Sequence, residues 1–164
     1  MARIQNDQPL LPSVLDRLLD DDPTNNQEAP KARHQVLREL KQSVRRDLEN
    51  LLNTRWRCMV WPPNLDEVDL SLINYGIPDF TGANMGAPSE RERLRQIVER
   101  IVKKFEPRFK SIKVKLLDNS DKADRTLRFR IDALLHAEPA PEPVTFDSQL
   151  DSTTNDFAVV DQKV

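Results

Sequence analysis

Two oppositely charged side chains bracket a proline in Phe105-Glu106-Pro107-Arg108-Phe109. A carboxylate and a guanidinium two residues apart can form a charge-assisted pair, or can each reach for an outside partner. Glu106 sits at the end of a helical pattern, where the macrodipole disfavours a negative charge by roughly 0.3–1 kcal/mol. Arg108 or an external cation can compensate. A glycoside hydrolase needs two carboxylates, one of them a protonated acid, and here Glu106 would have to be that acid. The cationic neighbours Lys103, Lys104, Arg108 and Lys110 favour an ionised Glu106, the opposite of an acid's requirement. Asp79 and Asp132 are the candidates for a second carboxylate, and neither is marked out by spacing.

Other chemistries lack their residues. Cys58 is the single cysteine, and His34 and His136 stand far apart, so no metal-ligand spacing appears. One cysteine rules out an internal disulfide and fits a reducing compartment. The three glycines, Gly76, Gly82 and Gly86, build no phosphate loop, and no nucleophile elbow is present. No cofactor is expected.

Charge is distributed unevenly around a formal net of −2. Residues 89–115 hold ten Lys/Arg against four Glu, whereas residues 138–164 hold six acidic residues against Lys163 alone. A basic centre between acidic ends suits docking surfaces better than bulk nucleic-acid binding, for which interleaved aromatics are also missing. No run approaches the roughly 20 apolar residues of a membrane span, and residues 1–9 do not read as a signal peptide.

These residues are positioned by α+β elements: two long amphipathic helices packed on a small antiparallel sheet built around a C-terminal hairpin. Val36, Leu37, Leu40, Val44, Leu48, Leu51 and Leu52 form one helical stripe over 31–53. Leu94, Ile97, Val98, Ile101, Val102 and Phe105 form a second, entered through an expected capping box, Ser89-Glu90-Arg91-Glu92. Pro107 ends that helix and pushes Glu106 toward extended geometry. Ile112, Val114 and Leu116 then alternate with lysines. After a polar turn, Leu127, Phe129, Ile131, Ala133 and Leu135 face inward. Lys113, Lys115, Arg128 and Arg130 share the outer face, which calls for acidic company. Residues 143–150 and Phe157 to Val160 are further strand candidates, after a stiff proline-rich connector from Ala137 to Pro143.

The remaining segments divide the chain into an N-terminal segment with a short helix and linker (1–29), an α+β domain (30–150) and an acidic tail (151–164). Residues 1–9 read as disordered. The helix, Leu10 to Leu19, places Leu15 and Leu18 on an apolar face that docks either on its own domain or on a neighbour. Cys58-Met59-Val60, between Trp56 and Trp61, suggests a short strand. Tyr75 to Phe80 reads as an ordered loop, anchored to the core or contacting a partner.

Several segments in this order carry a family resemblance: Leu11 to Leu18, Leu51-Leu52-Asn53-Thr54-Arg55, Asn74 to Phe80, Glu106-Pro107-Arg108 with Phe109-Lys110-Ser111, and Pro143 to Ser148. The chain resembles the wedge subunits of contractile-tail baseplates, above all the TssE family of type VI secretion systems, within a wider group named phage baseplate lysozyme-like. The resemblance implies a structural, non-enzymatic subunit, with a peptidoglycan-degrading enzyme as the alternative. It implies a cytoplasmic location, docked at the inner-membrane secretion complex of a Gram-negative bacterium. The implied partners are the baseplate subunits TssF, TssG and TssK and the sheath subunits TssB and TssC, and the implied role is to join the wedge to the sheath and promote sheath assembly. It also implies a fold related to the sheath's strand-exchanging domain. Candidate interface residues are Glu106, Pro107, Arg108, Leu15, Leu18, Lys113 and Arg130.

Overall fold

The structure, a computed structural model, describes residues 18, 32–56, 62, 64–69, 71–80, 86–117, 126–137, 140–151, 154 and 156–161. Leu15 and the Cys58-Met59-Val60 segment lie outside the described residues. Helix α1 spans Arg33–Asn53, the single-turn α2 Asp66–Asp69, and α3 Pro88–Phe105. Strands β1 (Phe109–Leu117), β2 (Leu127–Leu135), β3 (Glu142–Leu150) and β4 (Phe157–Asp161) follow and form one antiparallel sheet in sequence order. The expected tail strand is therefore the fourth strand of the sheet. A 3-10 turn, Leu72–Asn74, precedes the Tyr75 loop.

Helical periodicity becomes burial. Val36, Leu40, Val44, Leu48, Leu51 and Leu52 of α1 are buried, as are Leu94, Val98, Ile101 and Val102 of α3. They meet the inward face of the sheet, where Phe129, Ile131, Leu135 and Phe146 are fully enclosed. In β2 and β3 buried positions alternate with more open ones, as one covered face requires. Pro143 sits where β3 runs past the end of β4, so its missing N–H interrupts no ladder between them.

The helix ends use different devices from the expected ones. At the start of α1, Gln35 Oε1 accepts from Ala32 N at 3.1 Å, and alanine has no side-chain oxygen to return the bond. The Ser89 capping box does not form. Helix α3 starts two residues earlier, with Ala87 as cap and Pro88 in its first turn, where the absent N–H costs nothing. Glu92 instead accepts from Arg95 and Gln96. Those bonds, Arg95 first, hold its carboxyl below the usual range.

One core position departs from the apolar rule. Ser148, opposite Phe129 and Val159 on the inner face, is 0% exposed, and its Oγ has no hydrogen-bond partner. An uncompensated buried hydroxyl costs about 1–3 kcal/mol. Ser148→Ala should therefore raise stability by about 1 kcal/mol, read in a thermal melt as a rise of about 2–4 °C. A fall would mean that packing around Oγ outweighs its desolvation.

Candidate functional site

Glu106 ends α3, with its backbone N–H donating to Val102 O at 2.9 Å. The next residues turn sharply: Phe109 N donates to Glu106 O, and His136 N donates to Arg108 O at 2.8 Å. Pro107 is exposed on this turn, and Glu106 is only 5% exposed. The carboxylate thus points inward from a helix end whose dipole disfavours it. Arg108 supplies the compensation. Its Nε donates to Glu106 Oε1 and its Nη2 to Glu106 Oε2, both at 2.6 Å. The fork-to-fork geometry is the strong form of the pair.

A second carboxylate enters from the other helix. Arg108 Nη2 also donates to Asp47 Oδ2 at 2.7 Å, and Nη1 donates to Ser43 Oγ at 3.2 Å. These contacts use four of the five N–H donors of the guanidinium. Burial works against the charged form of Arg108, but the bonds and charges of Glu106 and Asp47 outweigh it and hold its pKa above the ordinary value. Arg46 adds a second cation, its Nε donating to Asp47 Oδ1 at 3.4 Å. Two carboxylates and two guanidiniums thus tie α1 to the α3–β1 turn with their charges balanced.

The Tyr75 loop closes over this cluster. The Tyr75 ring stands edge-on to Phe105 at 5.4 Å. Burial first, then the charges of Asp47 and Glu106, push the phenol up from 10.0, so it remains a neutral hydroxyl at physiological pH. Ile77 is fully buried, and Tyr75 and Phe80 pack against the core, so the loop anchors to its own domain. Leu72 and Ile73, just before it, are 85% and 51% exposed.

The arrangement is an interlock between elements of the fold. Both oxygens of Glu106 accept bonds from the Arg108 guanidinium and are taken up in holding the turn. Asp132 is engaged by Lys115 and Thr145, and Asp79 lies on the exposed side of the loop. Among the described residues no group of His, Cys, Asp and Glu is placed to hold a metal ion. No described helix is long and apolar enough to cross a membrane.

The basic outer face of the sheet finds its acidic company within the sheet. Arg130 Nε donates to Asp147 Oδ1 at 2.9 Å, and Lys115 Nζ lies 2.7 Å from Asp132 Oδ2. The bond to Asp147 chiefly keeps the Arg130 pKa raised, and the bond from Lys115 chiefly keeps the Asp132 carboxyl low. Lys113 is exposed and stands opposite Asp132 in the ladder. Leu18, the one described residue of the N-terminal segment, is helical and 74% exposed. The candidate interface residues are therefore not one constellation. Glu106, Pro107 and Arg108 share a turn, while Lys113 and Arg130 lie on the sheet.

Residues 38–140 match the sequence family described as baseplate wedge protein gp25. The chain belongs to that wedge family. The matched span includes most of α1, then α3, the Glu106–Arg108 turn with its Asp47 and Ser43 partners, and the β1–β2 hairpin. Wedge-family chains are structural baseplate components, in keeping with a site that locks elements together. A chain in a solved structure, the baseplate complex from the type VI secretion system, is similar at 17% identity and a TM-score of 0.48, covering 70% of this chain and 96% of that one. No curated protein matches this wedge-family chain.

Proposed function

We propose that this chain is a non-catalytic structural subunit of a type VI secretion baseplate, joining the wedge to the contractile sheath and promoting sheath assembly. The observation that carries this reading is the wedge-family match over residues 38–140, a span that includes the turn where Arg108 ties Glu106 to Asp47. The type VI assignment rests on the sequence resemblance at the segments quoted above. Its partners on this reading are TssF, TssG and TssK in the baseplate and TssB and TssC in the sheath. It works in the cytoplasm of a Gram-negative bacterium, at the inner-membrane secretion complex. Residues 1–29 form a docking segment with Leu15 and Leu18 on its apolar face, 30–150 the wedge domain, and 151–164 an acidic tail whose strand joins the wedge-domain sheet.

Two surfaces fit partner contact. One is the Pro107 turn, where Arg108 retains one Nη1 hydrogen beyond its described bonds. The other is the sheet face with Lys113 and Arg130. Co-expression with TssF, TssG, TssK, TssB and TssC tests the reading. The chain should co-purify with the baseplate subunits, and Lys113→Glu with Arg130→Glu should weaken retention. Added salt should weaken wild-type retention as well, because exposed charges are screened within about 10 Å at 0.1 M. Failure to co-purify with any of these subunits would reject the assignment. Salt-independent retention would reject only the sheet face.

A further inference from the structure

Among the described residues, strands β1 and β4 are the two edges of the sheet. An edge strand presents outward N–H and C=O groups that readily pair with another chain. In this chain helix side chains hold several of them. On β4, Phe157 N donates to Asn53 Oδ1 at 2.8 Å, and Asn53 Nδ2 donates to Phe157 O at 2.9 Å. That exchange of two bonds with one residue is what an antiparallel neighbour makes. Two residues on, Arg45 Nη1 donates to Val159 O at 3.1 Å. On β1, Val114 N donates to Glu99 Oε2 at 3.0 Å, and Arg95 Nη1 donates to Val114 O at 3.1 Å. Each long helix therefore engages one edge strand.

We propose that Asn53 and Arg45 form a releasable guard on β4, and Glu99 and Arg95 a fixed guard on β1, which together keep the sheet from pairing edge-to-edge with a second copy of this chain. The chemistry of the two guards differs. Glu99 and Arg95 bridge each other at 2.7 Å, and Arg95 is held again by Glu92 at 2.7 Å. Charge-assisted bonds of this kind are roughly twice as strong as neutral ones. The Asn53 amide is neutral, and Arg45 has an alternative partner in Glu49 at 3.3 Å. A second β4 would return to Phe157 and Val159 the same bonds that α1 supplies. The strand itself invites this. Phe157-Ala158-Val159-Val160 carries no charge, and Val160 is 55% exposed, whereas edge strands are commonly blunted by lysine or proline.

The test uses the full chain with Asn53→Ala and Arg45→Ala, followed by light scattering across a concentration series and by amide exchange at Phe157. Wild type should be monomeric, with Phe157 protected. The opened variant should form a concentration-dependent dimer, and its Phe157 amide should exchange at least about tenfold faster at concentrations where it is monomeric. If that variant does not fold by circular dichroism, Asn53→Asp with Arg45→Gln asks the same question more mildly. A folded variant that stays monomeric like wild type would overturn the proposal, as would unchanged exchange at Phe157. A wild-type dimer paired through β4 would overturn it equally.

Discussion

Arg108→Ala should destabilise the full chain by about 3–5 kcal/mol, because it leaves the Glu106 carboxylate enclosed without its cation. Glu106 has a side chain 6% exposed and two bonds of 2.6 Å to the guanidinium. Asp47 loses its 2.7 Å bond in the same step. Urea unfolding measures the effect: the midpoint should fall sharply with little change in slope. The contrast with a double variant is the sharper part. Glu106→Leu with Arg108→Met removes the charges together, and a buried pair replaced by apolar groups of similar volume often costs little. That variant should therefore be more stable than Arg108→Ala alone. A loss below about 1 kcal/mol in Arg108→Ala would put the pair in the solvent-exposed regime instead. The double variant also separates folding from assembly. If its midpoint stays near wild type while sheath counts in cells collapse, the charges act at a docking surface. If both hold, the pair serves the fold alone.

This expectation differs from what the linear sequence suggests. Read from Pro107 alone, Glu106 and Arg108 either pair with each other or reach for an outside partner, and no other element of the fold is involved. The structure turns Glu106 inward and recruits Asp47 and Ser43, which are 61 and 65 residues from Arg108. No local pattern reports a contact of that separation. A signal was nevertheless present. Ser43 and Asp47 are four apart and so share a helix face, and Ser43 is 4% exposed beside Val44. Polar residues bordering an apolar stripe often have a partner on the facing element.

The legible parts were those where burial follows a simple period. The α1 and α3 stripes and the inward residues of β2 fall where spacing of 3.6 and 2 puts them. The capping box failed because proline at a helix start competes with the serine that follows it, and the helix began at Pro88. The outer face of the sheet was read from β1 and β2 alone. Its like charges become alternating ones once Asp147 of β3 stands beside Arg130. That correction depends on strand order, which periodicity does not contain.

Gly76→Ala should unfold a large fraction of molecules that tolerate most surface changes. Gly76 has φ +110, a backbone state that side chains rarely adopt, and such strain alone costs on the order of 1–3 kcal/mol. Space is the greater obstacle. A Cβ there would overlap Thr54 O, a backbone atom that cannot rotate aside. That carbonyl is already engaged, since Ile77 N donates to it at 2.9 Å while Trp56 N donates to Ile77 O at 3.1 Å. Moving it breaks the bridge between Arg55 and Ile77 that fastens the loop to the end of α1. Ile77 is fully buried, so its release also opens the core. The loop carries Tyr75 against Phe105, one residue from Glu106, so the loss reaches the charged turn as well. Circular dichroism melting should show a drop larger than that of Ser148→Ala is a rise, and protease digestion should cut first near residues 75–80. A melting temperature within about 2 °C of wild type would mean that the Thr54–Ile77 bridge yields without cost, and the loop would then be a separable element rather than the lid of the Glu106 cluster.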